Sequence, residues 1–112
     1  LQNIGAFKMV NIGAAYNLNV GAMMVTVVGV NQTAKIGSEK NTTVGKKYEL
    51  TVGGGGGGSK SNITMDDKSI TLQVGKSILV MKADGSIAVN GKEIDVVGSQ
   101  HIGLESKRID LN

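Results

Sequence analysis

Apolar residues recur with a period of eight along the first half of the chain. Each repeat places an Ile or a Val directly before a glycine, seven times in succession. The aliphatic positions are Ile4, Ile12, Val20, Val28, Ile36, Val44 and Val52, and the glycines are Gly5, Gly13, Gly21, Gly29, Gly37, Gly45 and Gly53. A fixed period carried over so many units indicates a repeat architecture in which each octad is one structural unit.

Within an octad the pattern alternates with a period of two. In the last repeat, for example, Leu50 and Val52 are apolar and the intervening Thr51 is polar. This alternation predicts a short β-strand with one buried face, and the glycine that follows predicts a sharp corner. We therefore predict that the recurring Ile and Val residues form the structural core and that the recurring glycines form the structural corners.

A related pattern continues in the second half, where an Ile is followed two residues later by another apolar residue. The pairs are Ile63/Met65, Ile70/Leu72, Ile78/Val80, Ile87/Val89, Ile94/Val96, Ile102/Leu104 and Ile109/Leu111. Successive Ile residues are seven to nine positions apart, so we expect the same architecture with looser corners. Turn residues mark these corners at Asp84-Gly85, Asn90-Gly91, Gly98 and Gly103.

These patterns divide the chain into three predicted parts. Residues 1–53 are predicted to be a regular octad β-helix, and residues 61–112 to be a continued β-helix with looser repeats and with its tip at the C-terminus. Residues 54–60 between them are a glycine-rich corner or an engineered joint. The run from Gly53 to Gly58, followed by Ser59, fits either description.

The predicted fold class is all-β, because apolar spacings of two and eight do not make the stripe of about 3.6 residues that a helix needs. One octad spans about 26 Å at roughly 3.3 Å per residue, too short for a single chain to circle its own core. Either three octads make one turn or three chains share each layer. Every octad has the same inner pattern, which favours a homotrimeric, intertwined triple-stranded β-helix, or β-prism, with octapeptide repeats.

Composition narrows the function classes. The 112 residues include one Phe, two Tyr and no Trp, so large side chains cannot fill a globular core. Without cysteine, disulfides and thiolate metal sites are excluded.

We expect neither a membrane-spanning helix, which needs roughly 20 apolar residues, nor a signal peptide. Because the chain starts at Leu1, we expect it to be a piece of a longer protein.

The distribution of charge argues against a nucleic-acid partner. The net charge is +3; residues 1–53 carry five Lys and two Glu, and residues 59–112 carry seven basic and seven acidic groups. Nucleic-acid binding needs clustered Lys and Arg with aromatic stacking partners. The scattered lysines are therefore predicted to be a solvated exterior.

No residue is predicted to be catalytic, cofactor-binding or metal-binding, and no cofactor is expected. His101, the only histidine, has no cysteine partner and no HExxH context, which favours a structural role. A metal site on a three-fold axis remains an alternative if three copies of His101 point inward. The adjacent Asp66 and Asp67 would face opposite sides of a strand, so we predict a turn there and no acid–base pair.

Three parts of the sequence carry a resemblance to a known family. The stretch Asn19-Val20-Gly21-Ala22-Met23-Met24-Val25-Thr26-Val27-Val28-Gly29, the Val-Gly octads after it, and the closing Glu105-Ser106-Lys107-Arg108-Ile109-Asp110-Leu111-Asn112 resemble the C-terminal needle of valine-glycine repeat (VgrG) proteins, the spikes of type VI secretion systems. The octads are also similar to the central needle of contractile-tail phages.

The resemblance implies a trimeric needle at the head of a contractile tail tube, which assembles in the bacterial cytoplasm and is then driven through a target-cell envelope. It implies a non-enzymatic protein in transient contact with the target-cell membrane. A PAAR-repeat protein would cap the C-terminal end at Ile109, Asp110, Leu111 and Asn112, and secreted effectors would ride on the spike. Base domains that would join the tail-tube protein are absent from these residues. The alternative reading is a trimeric β-solenoid fibre or adhesin for surface recognition.

Overall fold

A computed structural model describes residues 1–54 and 58–112; the predicted corner at 54–60 falls partly on Gly55 to Gly57, which lie outside the described residues. The chain divides into two compact units, Leu1–Lys40 and Asn41–Asn112. Across the described residues the regular secondary structure is entirely β-strand, without helices. The all-β class predicted from the sequence is therefore confirmed.

The second unit contains one antiparallel sheet. Its strands are β1 (Lys47–Gly53), β2 (Lys60–Asp66), β3 (Ser69–Val74), β4 (Ser77–Lys82) and β5 (Ile87–Asn90). Each strand pairs with the next one in sequence, which gives the order β1-β2-β3-β4-β5. The sheet is therefore a meander, in which every pairing is local and is set by the connection that precedes it.

The turn between β2 and β3 is built by Asp66. Its Oδ1 atom accepts hydrogen bonds from the backbone N–H groups of Lys68 and Ser69, both at 2.8 Å. This arrangement is the side-chain turn that aspartate favours, and it confirms the turn predicted for Asp66 and Asp67. The two backbone donors lower the pKa of the Asp66 carboxyl from its ordinary value, because they stabilise the ionised form.

The other connections rely on glycine and a second aspartate. Gly75 begins the two-residue turn between β3 and β4 with a φ of 55°, and Gly85 sits between β4 and β5 with a φ of 93°. The Asp84 Oδ1 atom accepts a hydrogen bond from the Ser86 N–H at 2.9 Å. The corner predicted at Asp84-Gly85 is therefore a turn, and Gly85 has a φ that residues with a Cβ rarely adopt.

The octad segment, residues 1–46, has a different local structure. The backbone bends at Gly5, Gly13, Gly21, Gly29, Gly37 and Gly45, and the stretches between the bends form no strand within the chain. None of these glycines has a positive φ, and a Cβ built on each would meet no atom within 4 Å. The sequence pattern predicts that these glycines are needed for their backbone freedom. The conformation of the single chain does not require that freedom at these six positions.

Gly53, the last glycine of the octad series, differs from the six before it. Its φ is 84°, and a Cβ there would lie 2.7 Å from the Ser59 carbonyl oxygen. This glycine ends β1, which pairs with β2 across the glycine run from Lys47↔Asp66 to Gly53↔Lys60. The predicted division at residues 53 and 61 thus falls inside one pair of strands, and whether the assembled protein is organised as 1–53, 54–60 and 61–112 stays a prediction.

The second half of the chain follows the Ile pattern only in part. Strands β2 to β5 contain the first four predicted pairs, from Ile63/Met65 to Ile87/Val89. The last three pairs, from Ile94/Val96 to Ile109/Leu111, lie after Asn90, where the chain forms no strand with itself. The strands that contain the first four pairs belong to the antiparallel meander. Their register comes from pairing with neighbouring strands and not from the eight-residue repeat.

A core is missing throughout the described parts of the chain. No side chain in residues 1–54 or 58–112 is buried, and the accessible surface is 11407 Å². A compact protein of 11.6 kDa would expose about 5,800 Å². No helix among these residues has the length and apolar character needed to cross a membrane. The accessible surface is thus about twice the area that a compact monomer of this mass exposes.

The Asp66 turn predicts an acid-sensitive contribution to stability. Its folded pKa is lowered, so the contribution is present above the unfolded value of about 3.9 and is lost as pH falls through the folded value. Asp66→Asn keeps the acceptor oxygen without the charge. We expect a smaller fall in melting temperature between about pH 5 and pH 2.5 than in the parent. Asp67→Asn, which leaves the turn hydrogen bonds intact, is the control; if both substitutions give the parent profile, the Asp66 turn is not the source.

Candidate functional site

One face of the sheet is apolar across all five strands. The register places Leu50 opposite Ile63, Ile63 opposite Leu72, Leu72 opposite Leu79, and Leu79 opposite Val89. A second row of directly opposed residues runs parallel to the first on the same face, because side chains two positions apart point the same way. This second row is Tyr48, Met65, Ile70, Met81 and Ile87. We call these ten residues the apolar face.

The opposite face of the same sheet is mainly polar. Its two rows are Glu49, Thr64, Thr71, Val80 and Ala88, and Thr51, Asn62, Gln73, Ile78 and Asn90. The Thr51 hydroxyl donates a hydrogen bond to the Asn62 side-chain oxygen at 2.9 Å, and Glu49 pairs with Lys47 at 2.8 Å. The sheet therefore has a side suited to water and a side suited to burial.

The side chains of the apolar face are largely exposed in the described residues. Nine of its ten side chains are 37–65% exposed, from Ile63 at the low end to Ile87 at the high end. A soluble monomer rarely exposes a contiguous apolar patch larger than a few hundred Å². The cross-strand packing within each row stabilises the meander, and the outer surface of these side chains is exposed.

The register shows which face each residue of β4 occupies. Ile78 and Val80, which the sequence pattern predicts to be a pair on one side of the strand, lie on the polar face, and Leu79 and Met81 occupy the apolar face. All four residues from Ile78 to Met81 are apolar, so alternation does not determine the orientation of β4. The two-residue turn at Gly75 decides it, because it pairs Val74 with Ser77 and so places Leu72 opposite Leu79.

A second uncovered surface runs along the octads. The residues before the bending glycines are 47–50% exposed in six successive repeats: Ile4, Ile12, Val20, Val28, Ile36 and Val44. Their neighbours are more exposed; Val27, directly before Val28, is 88% exposed. We call these six residues the octad stripe. The constant value shows that each repeat presents the same partly shielded apolar position.

The backbone of the octads is as unpartnered as the stripe. Among the described residues, every backbone pairing lies between Lys47 and Asn90, and the three additional backbone hydrogen bonds lie between Lys68 and Ser86. Residues 1–46 thus have no backbone hydrogen bond to another part of the described chain. Extended backbone that is removed from water needs a partner for each N–H and C=O group.

Titratable groups occur in a groove beside the apolar face. The groove at one end of the apolar face, about 450 Å³ in volume, is lined by Tyr48, Met65, Asp66 and two lysines among others, and the Asp66 carboxylate there is bound to backbone N–H groups. No group of three or more His, Asp or Glu residues in 1–54 and 58–112 is placed to hold a metal ion. The non-enzymatic assignment stays a prediction.

The predicted tip residues lie in the segment after β5. Ile109 is 51% exposed and Leu111 is 87% exposed, and Asp110 pairs with the Arg108 guanidinium at 3.0 Å. His101 packs close to Gly103, where an added Cβ would lie 2.9 Å from its Nε2 atom. The docking role of Ile109, Asp110, Leu111 and Asn112 stays a prediction.

No family model matches the sequence, and comparisons with curated proteins and with solved structures find no significant match. The apolar face as a unit was not predicted from the sequence. The signal for it was present in the two-residue spacings at Asp67-Lys68 and Gly75-Lys76, which fix which residues oppose each other across the turns.

The apolar face predicts opposite outcomes for neighbouring substitutions. Leu72→Asp places a carboxylate in the centre of the face, whereas Gln73→Asp places one on the polar face of the same strand. If the face is covered in the assembled protein, Leu72→Asp buries an unpaired charge and destabilises strongly, while Gln73→Asp costs under about 1 kcal/mol. Thermal unfolding of both variants checks this; equal melting temperatures would show that the face is open to water.

Proposed function

We propose that the chain is a structural needle segment that works as a homotrimer, in which three copies wind around one axis as an intertwined β-helix. In this proposal the octad stripe and the apolar face form the dry interior, and the lysines and the polar face form the exterior. The trimer is the puncturing spike of a contractile injection machine of the type VI secretion kind, as the resemblance to valine-glycine repeat needles implies.

The octad segment carries the proposal. A bend every eight residues, a half-exposed aliphatic residue before each bend and no backbone partner for residues 1–46 are hard to reconcile with a stable monomer. Neighbouring chains would supply both the missing hydrogen bonds and the missing apolar contacts.

Three-fold symmetry explains why the octads are alike. If successive octads formed different faces of one chain, their inner residues would be expected to differ from face to face, yet every octad from Ile4 to Val52 has the same Ile-Gly or Val-Gly pair. In a trimer every octad meets the same neighbours, related by the rotation axis. The bending glycines also fit, because they have open space around them in the single chain, which a neighbouring backbone would fill.

A mechanical role agrees with the chemistry of the chain. A shaft with aliphatic interior and continuous backbone pairing resists deformation, and unfolding of an intertwined trimer is expected to be slow. The proposal includes capping by a PAAR-repeat protein at Ile109 to Asn112, carriage of effectors, and a junction to the tail tube through base domains outside these residues. It also includes assembly in the bacterial cytoplasm before injection.

A fibre or adhesin for surface recognition is the second candidate. Phe7 and Tyr16 favour it, because they are 74% and 66% exposed and exposed aromatic residues are common at recognition surfaces. They occupy different positions in their octads, two and three residues after the glycine. They would therefore face opposite sides of an extended strand and would not form one binding surface.

Neighbouring residues in one octad test the assembly. Ile36→Asp would place three carboxylates close to the axis in a dry interior, whereas Lys35→Asp changes an outward residue. Each buried carboxylate must stay charged at a high cost or take up a proton at a raised pKa. We expect Ile36→Asp to yield no trimer in sedimentation equilibrium and Lys35→Asp to form trimers that lose under about 1 kcal/mol per chain.

The same pair of variants tests the function when it is placed in the full-length spike of a bacterium that kills its neighbours. We expect the Ile36→Asp strain to lose killing and release of tail-tube protein together, and the Lys35→Asp strain to keep both. Loss of attachment to target cells with normal release of tube protein would favour the fibre. A parent chain that is a stable monomer at all dilutions would reject the needle.

A further inference from the structure

One stretch of the octads is apolar on the side that the proposed trimer leaves outside. Met23, Val25, Val27 and Val30 are 77%, 70%, 88% and 89% exposed, far above the octad stripe. We call these four residues the belt. Met23, Val25 and Val27 alternate with the residues of the stripe side, so an extended strand that points Val28 inward points these three outward.

The belt departs from the repeat that contains it. The residues that occupy the octad position of Val27 in the other repeats are Asn3, Asn11, Asn19, Lys35, Thr43 and Thr51, and all of them are polar. Val27 is therefore an exception at a position that otherwise faces water. The trimer interior does not explain it, because the interior position of that octad is already filled by Val28.

Charge is absent around the belt. Residues 9–34 contain no Lys, Arg, Asp, Glu or His, and the nearest charged side chains are Lys8 on one side and Lys35 on the other. The chain elsewhere carries charged residues in both halves, with six of them between Lys35 and Glu49. A surface that only has to be soluble gains from scattered charge. Its absence over one continuous stretch points to a low-dielectric surrounding.

We propose that the belt contacts the hydrocarbon of a lipid bilayer when the assembled needle enters a membrane. This inference rests on the proposed function, since the strand backbones of residues 9–34 must be paired with neighbouring chains before lipid can surround them. Lipid fits better than a protein partner: a protein interface has a polar, often charged rim with aromatic or arginine anchors, and the belt has aliphatic side chains flanked by uncharged ones.

The absence of tryptophan from the chain allows a direct test. Val27→Trp and Lys35→Trp each introduce a single fluorophore at the same octad position in adjacent repeats. The probe is a vesicle of phosphatidylcholine, a neutral lipid that does not attract the positive net charge. A second vesicle preparation of the same lipid with brominated acyl chains quenches only a tryptophan that reaches the hydrocarbon.

We expect the emission of Val27→Trp to shift to shorter wavelength with vesicles and to be quenched by the brominated chains, with Lys35→Trp unchanged in both. A further substitution, Val27→Lys, should abolish flotation of the trimer with phosphatidylcholine vesicles, because a charged side chain is costly in hydrocarbon. No shift and no quenching in a trimeric Val27→Trp would overturn the belt alone. Monomeric variants, together with a monomeric parent, would overturn the homotrimer and the belt with it.

Discussion

The backbone hydrogen bonds of the octad segment are the constraint on which the structure depends. Residues 1–46 have extended backbone that bends every eight residues, and their polar groups find no backbone partner in the described chain. Water can satisfy these backbone groups only while the segment remains solvated. The apolar side chains of the octad stripe, however, favour burial of the same segment away from water. Neighbouring chains that pair with the backbone would satisfy both demands at once, and this is why we infer an assembly of identical strands.

The two halves of the chain meet the same demand in different ways. Between Lys47 and Asn90 the chain pairs with itself, and the turns at Asp66, Gly75 and Gly85 fix the register. That sheet needs no partner for its inner strands, but it leaves ten apolar side chains in two rows on one face. Both regions therefore expose apolar surface, residues 1–46 with unpaired backbone and the sheet between Lys47 and Asn90 with paired backbone.

The sequence was informative where one residue type has one strong conformational consequence. Six of the seven octad glycines, from Gly5 to Gly45, lie at bends as predicted, and the turns at Asp66 and Asp84-Gly85 use the hydrogen bonds that aspartate side chains favour. The orientation of β4 was not predictable from alternation, because Ile78 to Met81 are all apolar and only the length of the preceding turn decides which face each residue takes. The sequence also could not show why glycine occupies the bends, because the space around these glycines in the single chain is open.

Hydrogen exchange of the backbone amides is the most direct measurement of whether other chains hold the octad segment. If residues 1–46 are paired between chains, their amides exchange slowly, at rates comparable with those of the sheet strands β2 and β3, although the chain itself offers them no acceptor. Rapid exchange throughout residues 1–46, with protection confined to Lys47–Asn90, would contradict the intertwined assembly and leave the meander as the only folded part of the protein.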